Sequence, residues 1–550
     1  MSNLVYISFI LLFIFSSPLR VLATEEHRSQ CFKNKNLASN TNLLDQNRLD
    51  ILLDRVEYIE IQLKALSNNI ICSKNEITDA KTNQERKVLI EQLLELYRSL
   101  YDLTNQEEFL EKAFWHVEKS KSEELFTLAA EKRKEAINYE KRSSEDENQY
   151  VNLSILGRIQ TYLDHEEALI EYFVGPQSIF AFVIESKRVR LVQLTESDSL
   201  DSLILHFREA ITKHYSNSSF ASVAYNLYTT VFKPLGSLPE NLIIVLDGNL
   251  SAIPFGVLIS EKPENPQAYS TLSYLIRLYQ ISYAFSSTNL LEREKAPNIS
   301  SRFSNYLAFA PSFEKSNAEI GLGSLGAQLY SNSAEIMSSI QGTKFMGKEA
   351  TKDKFIDLVE GYRIVHLSTH AKIDKENPQN SFIAFSNSYP FERRWKLSIE
   401  EIYKMKIPAE LVVLSACETN SDLMTPGKGI ISLARAFDHA GSRSIVSSLW
   451  NINDQTTTQL IADFYDQLQA GCAKDQALRN AKIKYIENSK NNFEAHPYYW
   501  AGMVITGTNE PIEIGKSIIA QDDNYIALIL IVSLLLFIIK ILQKRSKILF

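Results

Sequence analysis

The sequence predicts an α/β protein: a mostly parallel sheet flanked by helices, preceded by an α-helical, repeat-like domain and followed by one transmembrane helix. Three observations carry this. From Ala168 to Ile505, short apolar runs alternate with stretches of helical spacing, the pattern of a parallel sheet covered on both faces. From Leu43 to about Arg142 the chain is rich in Glu, Lys, Leu and Ala at helical spacing with no strand signal. From Ile526 to Ile539 it is apolar except for Ser533.

Composition narrows the function. The chain has 550 residues, which predicts two or three domains, and 45% hydrophobic with 23% charged residues is ordinary globular usage. Net charge is −8 with no basic cluster in the globular part, so a nucleic-acid partner is not expected. The four cysteines, Cys31, Cys72, Cys417 and Cys472, have no CxxC spacing. A metal site of cysteine ligands is therefore not expected, nor is a cofactor.

Taken in order, residues 1–23 read as a signal peptide. Leu4 to Phe15 is apolar, and Val21 and Ala23 are small residues before a cut at Thr24. An uncleaved anchor fits the same run. Residues 24–148 form the helical domain. Leu49, Leu52, Leu53, Val56 and Ile59 mark one helix, Leu89, Leu93, Leu94, Tyr97 and Leu100 a second, and Phe109, Ala113 and Val117 a third. Asn105 turns the chain between the last two. Ile90 to Ala130 resembles a tetratricopeptide repeat, although no 34-residue period runs through the earlier helices, and a generic helical layer reads equally well. Ser143 to Asn148 is a polar break.

The sheet domain is assigned to 149–508. Strands are expected at Ala168–Val174, Ile179–Ile184, Val189–Leu194, Leu242–Leu246, Ile281–Ala284, Tyr306–Ala310, Tyr362–Ser368, Leu411–Ser415, Ser444–Ser448 and Gly502–Ile505. Residues 509–524 read as a linker, 525–543 as the transmembrane helix and 544–550 as a short basic tail. Lys540 interrupts the apolar run and must snorkel for it to span. Asp522 and Asp523 precede it and Lys544, Arg545 and Lys547 follow, which predicts a cytoplasmic C-terminus. With the signal peptide, this makes a single-pass membrane protein whose bulk is extracytoplasmic (periplasmic). There Cys31 and Cys72 either form a disulfide or remain buried thiols.

The candidate chemistry lies at two strand ends. Leu411 to Leu414 is continuously apolar, and Cys417 follows it; Ile364 to Ser368 has the same form, and His370 follows. Open α/β sheets place their chemistry just past the carboxyl ends of strands. Neighbouring parallel strands lie about 4.8 Å apart, so these side chains can meet. A cysteine beside a histidine can act as a nucleophilic thiolate; alone it is a small buried hydrophobe. Cys472 sits in a turn and reads as packing. His366 reads as a hydrogen-bonded core residue, because HExxH requires a helix and a glutamate that are absent here. Gly321, Gly323 and Gly326 make a GxGxxG outside any strand–helix context, read as a loop. Asp454 opens a helix, where it reads as an N-cap or as an acid that binds a basic substrate side chain.

His366-Leu367-Ser368-Thr369-His370-Ala371 and Leu414-Ser415-Ala416-Cys417-Glu418-Thr419 resemble the two signature motifs of the CHAT domain. That is the caspase-like, tetratricopeptide-repeat-associated domain related to separase and the caspase-type cysteine peptidases. Leu169 to Gly175, Asp247-Gly248 with Ile253-Pro254-Phe255, Ser282-Tyr283-Ala284, Ala308 to Phe313, and Gly427-Lys428-Gly429 through Trp450 and Asp454 resemble its other segments. The resemblance covers about Tyr162 to Gly507. It implies a caspase-like fold and a cysteine endopeptidase acting on a protein or peptide substrate. Cys417 matches the nucleophile and His370 the general base. The backbone N–H groups of Ala371 and Cys417 match an oxyanion hole, with Ala371 standing where many relatives have glycine. Glu418 is either a substrate-binding helper or a surface residue. The helices would bind a protein partner and regulate or recruit. A catalytically silent receptor or scaffold on the same fold is the alternative.

Overall fold

The computed structural model describes residues 43–72, 76–128, 154–196, 200–213, 219–295, 304–313, 340–374, 380–386, 395–415, 428–450, 454–512 and 514. The chain divides into two compact units, Met1–Tyr58 and Ile59–Phe550. In the first, residues 43–58 are helical, with Leu49 and Val56 buried. They open helix α1, Leu43–Cys72.

In the second unit, α2 (Glu76–Thr104) and α3 (Glu108–Leu128) form a helical hairpin. Asn105 joins them with φ 54°, a left-handed conformation that asparagine tolerates, and its N–H donates to Tyr101 O. Leu93, Leu94 and Tyr97 on α2, and Leu110, Ala113, Phe114 and Val117 on α3, are almost fully buried.

After α4 (Ile155–Tyr162) come β1 (Glu167–Val174), β2 (Ser178–Glu185) and β3 (Arg188–Glu196), then α5 (Leu200–Thr212) and α6 (Phe220–Leu227). There follow β4 (Asn241–Val245), α7 (Leu275–Leu278), β5 (Gln280–Ala284), α8 (Ser287–Lys295), β6 (Ser304–Pro311) and β7 (Thr343–Gly347). Next are α9 (Lys352–Leu358), β8 (Tyr362–Ser368), β9 (Ala371–Lys372), β10 (Phe382–Ala384), β11 (Lys396–Ser398), α10 (Ile399–Lys404) and β12 (Leu411–Ser415). The last elements are α11 (Lys428–His439), β13 (Ser444–Ser448), α12 (Asp454–Gln469), α13 (Lys474–Glu487), α14 (Pro497–Trp500) and β14 (Met503–Gly507).

Eleven strands make one sheet in the order β3-β2-β1-β4-β5-β14-β13-β12-β8-β6-β7. Nine of these strands form two parallel blocks, and β2 and β3 extend the first of them as an antiparallel edge. β1, β4, β5 and β14 run one way. β13, β12, β8, β6 and β7 run the other way, and the antiparallel pair β13/β14 is the seam. The carboxyl ends of the two blocks therefore open at opposite edges of the sheet. β8 is buried along its whole length, its polar Arg363, His366 and Ser368 included. The mixed α/β architecture with helices ahead of the sheet is as expected.

The membrane part of the expectation is corrected. No helix among the described residues is long and apolar enough to cross a membrane. The long helices α1 to α3 carry Glu, Lys and Arg throughout, so none offers the roughly 20 successive apolar residues a span needs. The apolar run at 525–543 is interrupted by Lys540 near its end. The C-terminal span, the single-pass membrane protein with an extracytoplasmic bulk and cytoplasmic C-terminus, and membrane contact through that helix are accordingly withdrawn. Residues 525–543 and the signal peptide at 1–23 lie outside the described residues, as do Cys31 and the GxGxxG of Gly321 to Gly326.

Candidate functional site: the strand ends of β8 and β12

β8 and β12 are parallel neighbours in continuous register from Leu411↔Ile364 to Ser415↔Ser368. The register is locked at its lower end, where Glu410 N–H donates to Arg363 O at 2.7 Å. There the Arg363 guanidinium also makes a two-pronged contact with Glu410, 2.7 Å to Oε1 and 3.1 Å to Oε2. Partner residues differ by 47 positions throughout (410 − 363, 415 − 368). His370 and Cys417 are also 47 apart (417 − 370). Cys417 and Glu418 lie outside the described residues, as does the side chain of Asp454, the first residue of α12.

His370 leaves the end of β8 half-buried, with its ring 5.2 Å from that of Phe313. Phe313 belongs to a small apolar cluster with Phe382, Ala384 and Trp395. That cluster sits on the three-stranded sheet β11-β10-β9. The backbone here is tied down: Ala384 N–H donates to His370 O at 2.8 Å, and Thr369 Oγ1 donates to Ala384 O at 2.5 Å. Antiparallel ladders alternate hydrogen-bonded and non-bonded pairs. Because Ala384 bonds His370, the next pair, Ala371↔Ile383, is a non-bonded one. The Ala371 N–H is therefore turned away from β10.

Beneath the strand ends lies His366, which is 1% exposed. Its Nδ1 meets the hydroxyls of Tyr306 at 3.0 Å and Tyr465 at 3.3 Å, and its Nε2 meets Ser415 Oγ at 3.3 Å. Burial pushes its pKa down to about 3, so the ring is neutral near pH 7. It is the hydrogen-bonded core histidine that its place inside an apolar strand implies. It also links β6, β8, β12 and α12. Cys472 is a half-buried thiol in the turn before α13, with Sγ 3.6 Å from Gln467 Oε1.

At the opposite edge, the strand ends of the first block are filled by the hairpin's charged side chains. The Glu91 carboxylate of α2 accepts the N–H groups of Gln177 and Ser178 in the β1–β2 turn. Lys87 reaches Asp247 at 3.3 Å, and Asp247 also accepts the Val174 N–H at 2.7 Å. Burial alone would raise Asp247, but Lys87, Lys121 and that N–H outweigh it and hold the carboxyl below its ordinary range. Glu118 of α3 accepts the Ser287 and Thr288 N–H groups at 2.9 Å each, capping α8. Glu171 lies fully buried between Lys121 at 3.1 Å and the Ser287 hydroxyl at 2.5 Å. Burial, and then the charge of Glu118, push it well above its ordinary value. The sequence reading did not find this cluster. Its one signal was Glu171 itself, a lone charge inside the apolar run Ala168–Val174. Among the described residues, no group of three or more His, Cys, Asp or Glu is arranged to hold a metal ion.

Comparison with known proteins agrees with the motif resemblance. The chain is 25% identical over 320 residues to tetratricopeptide repeat protein 28 of Homo sapiens, covering 51% of this chain and 12% of that protein. The Mus musculus protein of the same name is 24% identical over 316 residues, covering 51% and 13%. The chain thus spans a small fraction of these relatives. Among solved structures, two of the Saccharomyces cerevisiae separase–securin complex resemble it with TM-scores of 0.46 and 0.44 at 11% identity. They cover 85% and 84% of this chain and 40% of each of theirs. The CHAT domain family model matches residues 222–508, just over half of the chain. This chain belongs to the CHAT domain family.

Proposed function

We propose that this chain is a cysteine endopeptidase of the CHAT type, with Cys417 as nucleophile and His370 as general base. The observation that carries the reading is the shared offset of 47 residues, which runs through the β8/β12 ladder and also separates His370 from Cys417. In the proposed reaction, His370 takes the Cys417 thiol proton and the thiolate adds to the scissile carbonyl carbon. The oxyanion is held by the N–H groups of Ala371 and Cys417. The protonated His370 then gives its proton to the leaving amine, and water hydrolyses the resulting thioester. Glu418 and Asp454 are proposed to line the substrate cleft, and the helices of 24–148 to recruit or gate the protein substrate.

The test is labelling of the full chain with a thiol-reactive peptidyl probe at neutral pH. Fast modification of Cys417, lost in His370→Ala, supports the dyad. A Cys417 no more reactive than Cys472 overturns it in favour of a silent protein-binding scaffold.

A further inference from the structure

The last two residues of β12 are paired on one side only. β12 meets β13 at Val412↔Ile445 and Val413↔Val446, whereas its ladder with β8 continues to Ser415↔Ser368. Beyond Val413 the strand is therefore held by β8 alone. His366 is the ladder partner of Val413, and side chains two apart on a strand share a face, so it lies beside Ser415. Its Nε2 meets Ser415 Oγ at 3.3 Å, the one side-chain hydrogen bond of Ser415 among the described residues. The direction of that bond follows from the other side of the ring. Nδ1 faces the hydroxyls of Tyr306 on β6 and Tyr465 on α12, which also bond each other. Both tyrosines are almost fully buried, and among the described residues neither hydroxyl bonds anything outside this trio. Both hydroxyl protons find an acceptor only if Nδ1 takes one, so the ring proton lies on Nε2 and is donated to Ser415.

We propose that His366 is a positioning residue of the peptidase: by donating to Ser415 it fixes the end of β12, from which the chain continues to Cys417 two residues on. The inference rests on the reading of Cys417 and His370 as the dyad, and concerns how the first is held to the second. His366 touches no reacting atom and acts only through Ser415. Simple packing would be served by apolar side chains at 306, 366 and 465, which leave no polar group to satisfy. Here three polar side chains are buried together, and the one bond that leaves the trio goes to the end of the proposed nucleophile's strand. The Arg363–Glu410 pair ties β8 to β12 at their start, and His366–Ser415 ties them at the other end. Proton transfer needs heavy atoms within about 3 Å of each other, and a misplacement of about 1 Å can cost about a hundredfold in rate.

The experiment alkylates the full chain with iodoacetamide across a pH series and follows Cys417 and Cys472 separately by peptide mass. Only the thiolate reacts, so the pH profile reports how closely His370 holds Cys417. In wild type, Cys417 should react with an inflection below the ordinary thiol value of about 8.5. Ser415→Ala should move that inflection towards about 8.5 and slow the reaction near pH 6.5 by about tenfold. Ser415→Thr, which keeps the hydroxyl, should recover most of the wild-type profile. His366→Gln, which keeps an N–H donor, should lose less than His366→Leu. A wild-type profile in Ser415→Ala overturns the proposal and leaves the dyad standing. A wild-type Cys417 with the profile of Cys472 overturns the dyad, and this inference with it. Faster alkylation of the half-buried Cys472 in Ser415→Ala would mark general unfolding, a structural role only, and would equally overturn the proposal.

Discussion

Ser368 and Ser415 stand opposite each other at the carboxyl ends of β8 and β12, and His366 binds the second of them from below through Nε2. The ladder fixes one chain against the other residue by residue, because a slip of a single position would turn every side chain to the other face. His370 and Cys417 each follow their serine by two residues. Cys417→Ala and His370→Ala are therefore expected to lower peptidase activity by about a thousandfold or more while thermal unfolding stays within a few degrees of wild type. Activity assay beside calorimetry checks both halves, and proteolysis unchanged in Cys417→Ala would end the peptidase reading.

His366 makes a pH prediction. Its folded value of about 3 lies below the ordinary 6.5, so the stability owed to its neutral form is present above pH 6.5. That stability is lost as the pH falls from 6.5 towards 3, at about 1.4 kcal/mol per pH unit for one group. His366→Gln should be less stable near pH 7 but should lose less stability on acidification than wild type. Urea midpoints between pH 7 and 4.5 measure the difference, and parallel curves for the two proteins would contradict it.

Glu118 caps α8 with both carboxylate oxygens from a helix about 170 residues away in sequence. Glu118→Ala strands one buried and one half-buried N–H group and should cost about 1–3 kcal/mol. The Thr288 hydroxyl also donates to Glu118, at 2.5 Å; Thr288→Ala removes that bond, keeps both N–H contacts and should cost less. Equal losses in chemical denaturation would mean that the hydroxyl, not the cap, carries the stabilisation.

Gly175 opens the β1–β2 turn beside Glu91 of α2: a Cβ there would lie 2.8 Å from Glu91 Cδ. Gly175→Ala should destabilise by about 1–3 kcal/mol through this overlap. In the double variant with Glu91→Ala, the overlap is gone, so the two costs should sum to more than the measured total. A double-mutant cycle tests this, and strict additivity would show that the contact is not the cause.

Breaking the Arg363–Glu410 pair should be more severe. Its side chains are only 9% and 11% exposed, so Glu410→Ala leaves a nearly buried guanidinium without its carboxylate, at about 3–5 kcal/mol. A loss under 1 kcal/mol on unfolding would place the pair in effectively bulk-like solvent.

The sequence by itself determined ten of the fourteen strands among the described residues, because buried strands such as Leu411–Leu414 are apolar along most of their length, while β7 and the short β9, β10 and β11 carry no such run. It determined the helical hairpin from the spacing of Leu93, Tyr97, Phe109 and Ala113, and the turn at Asn105 from that residue's tolerance of positive φ. It marked His370 and Cys417 because each follows such a strand. Only the tertiary structure decided which strands are neighbours, that the sheet reverses direction at β13/β14, and that β8 and β12 pair with an offset of 47. It alone brought Glu91, Glu118 and Lys87 onto the other edge. These are contacts across tens to hundreds of residues between side chains that look, in sequence, like any solvated helix face. Periodicity reports which face of an element is apolar, whereas the partner of a buried charge is set by the packing of distant elements.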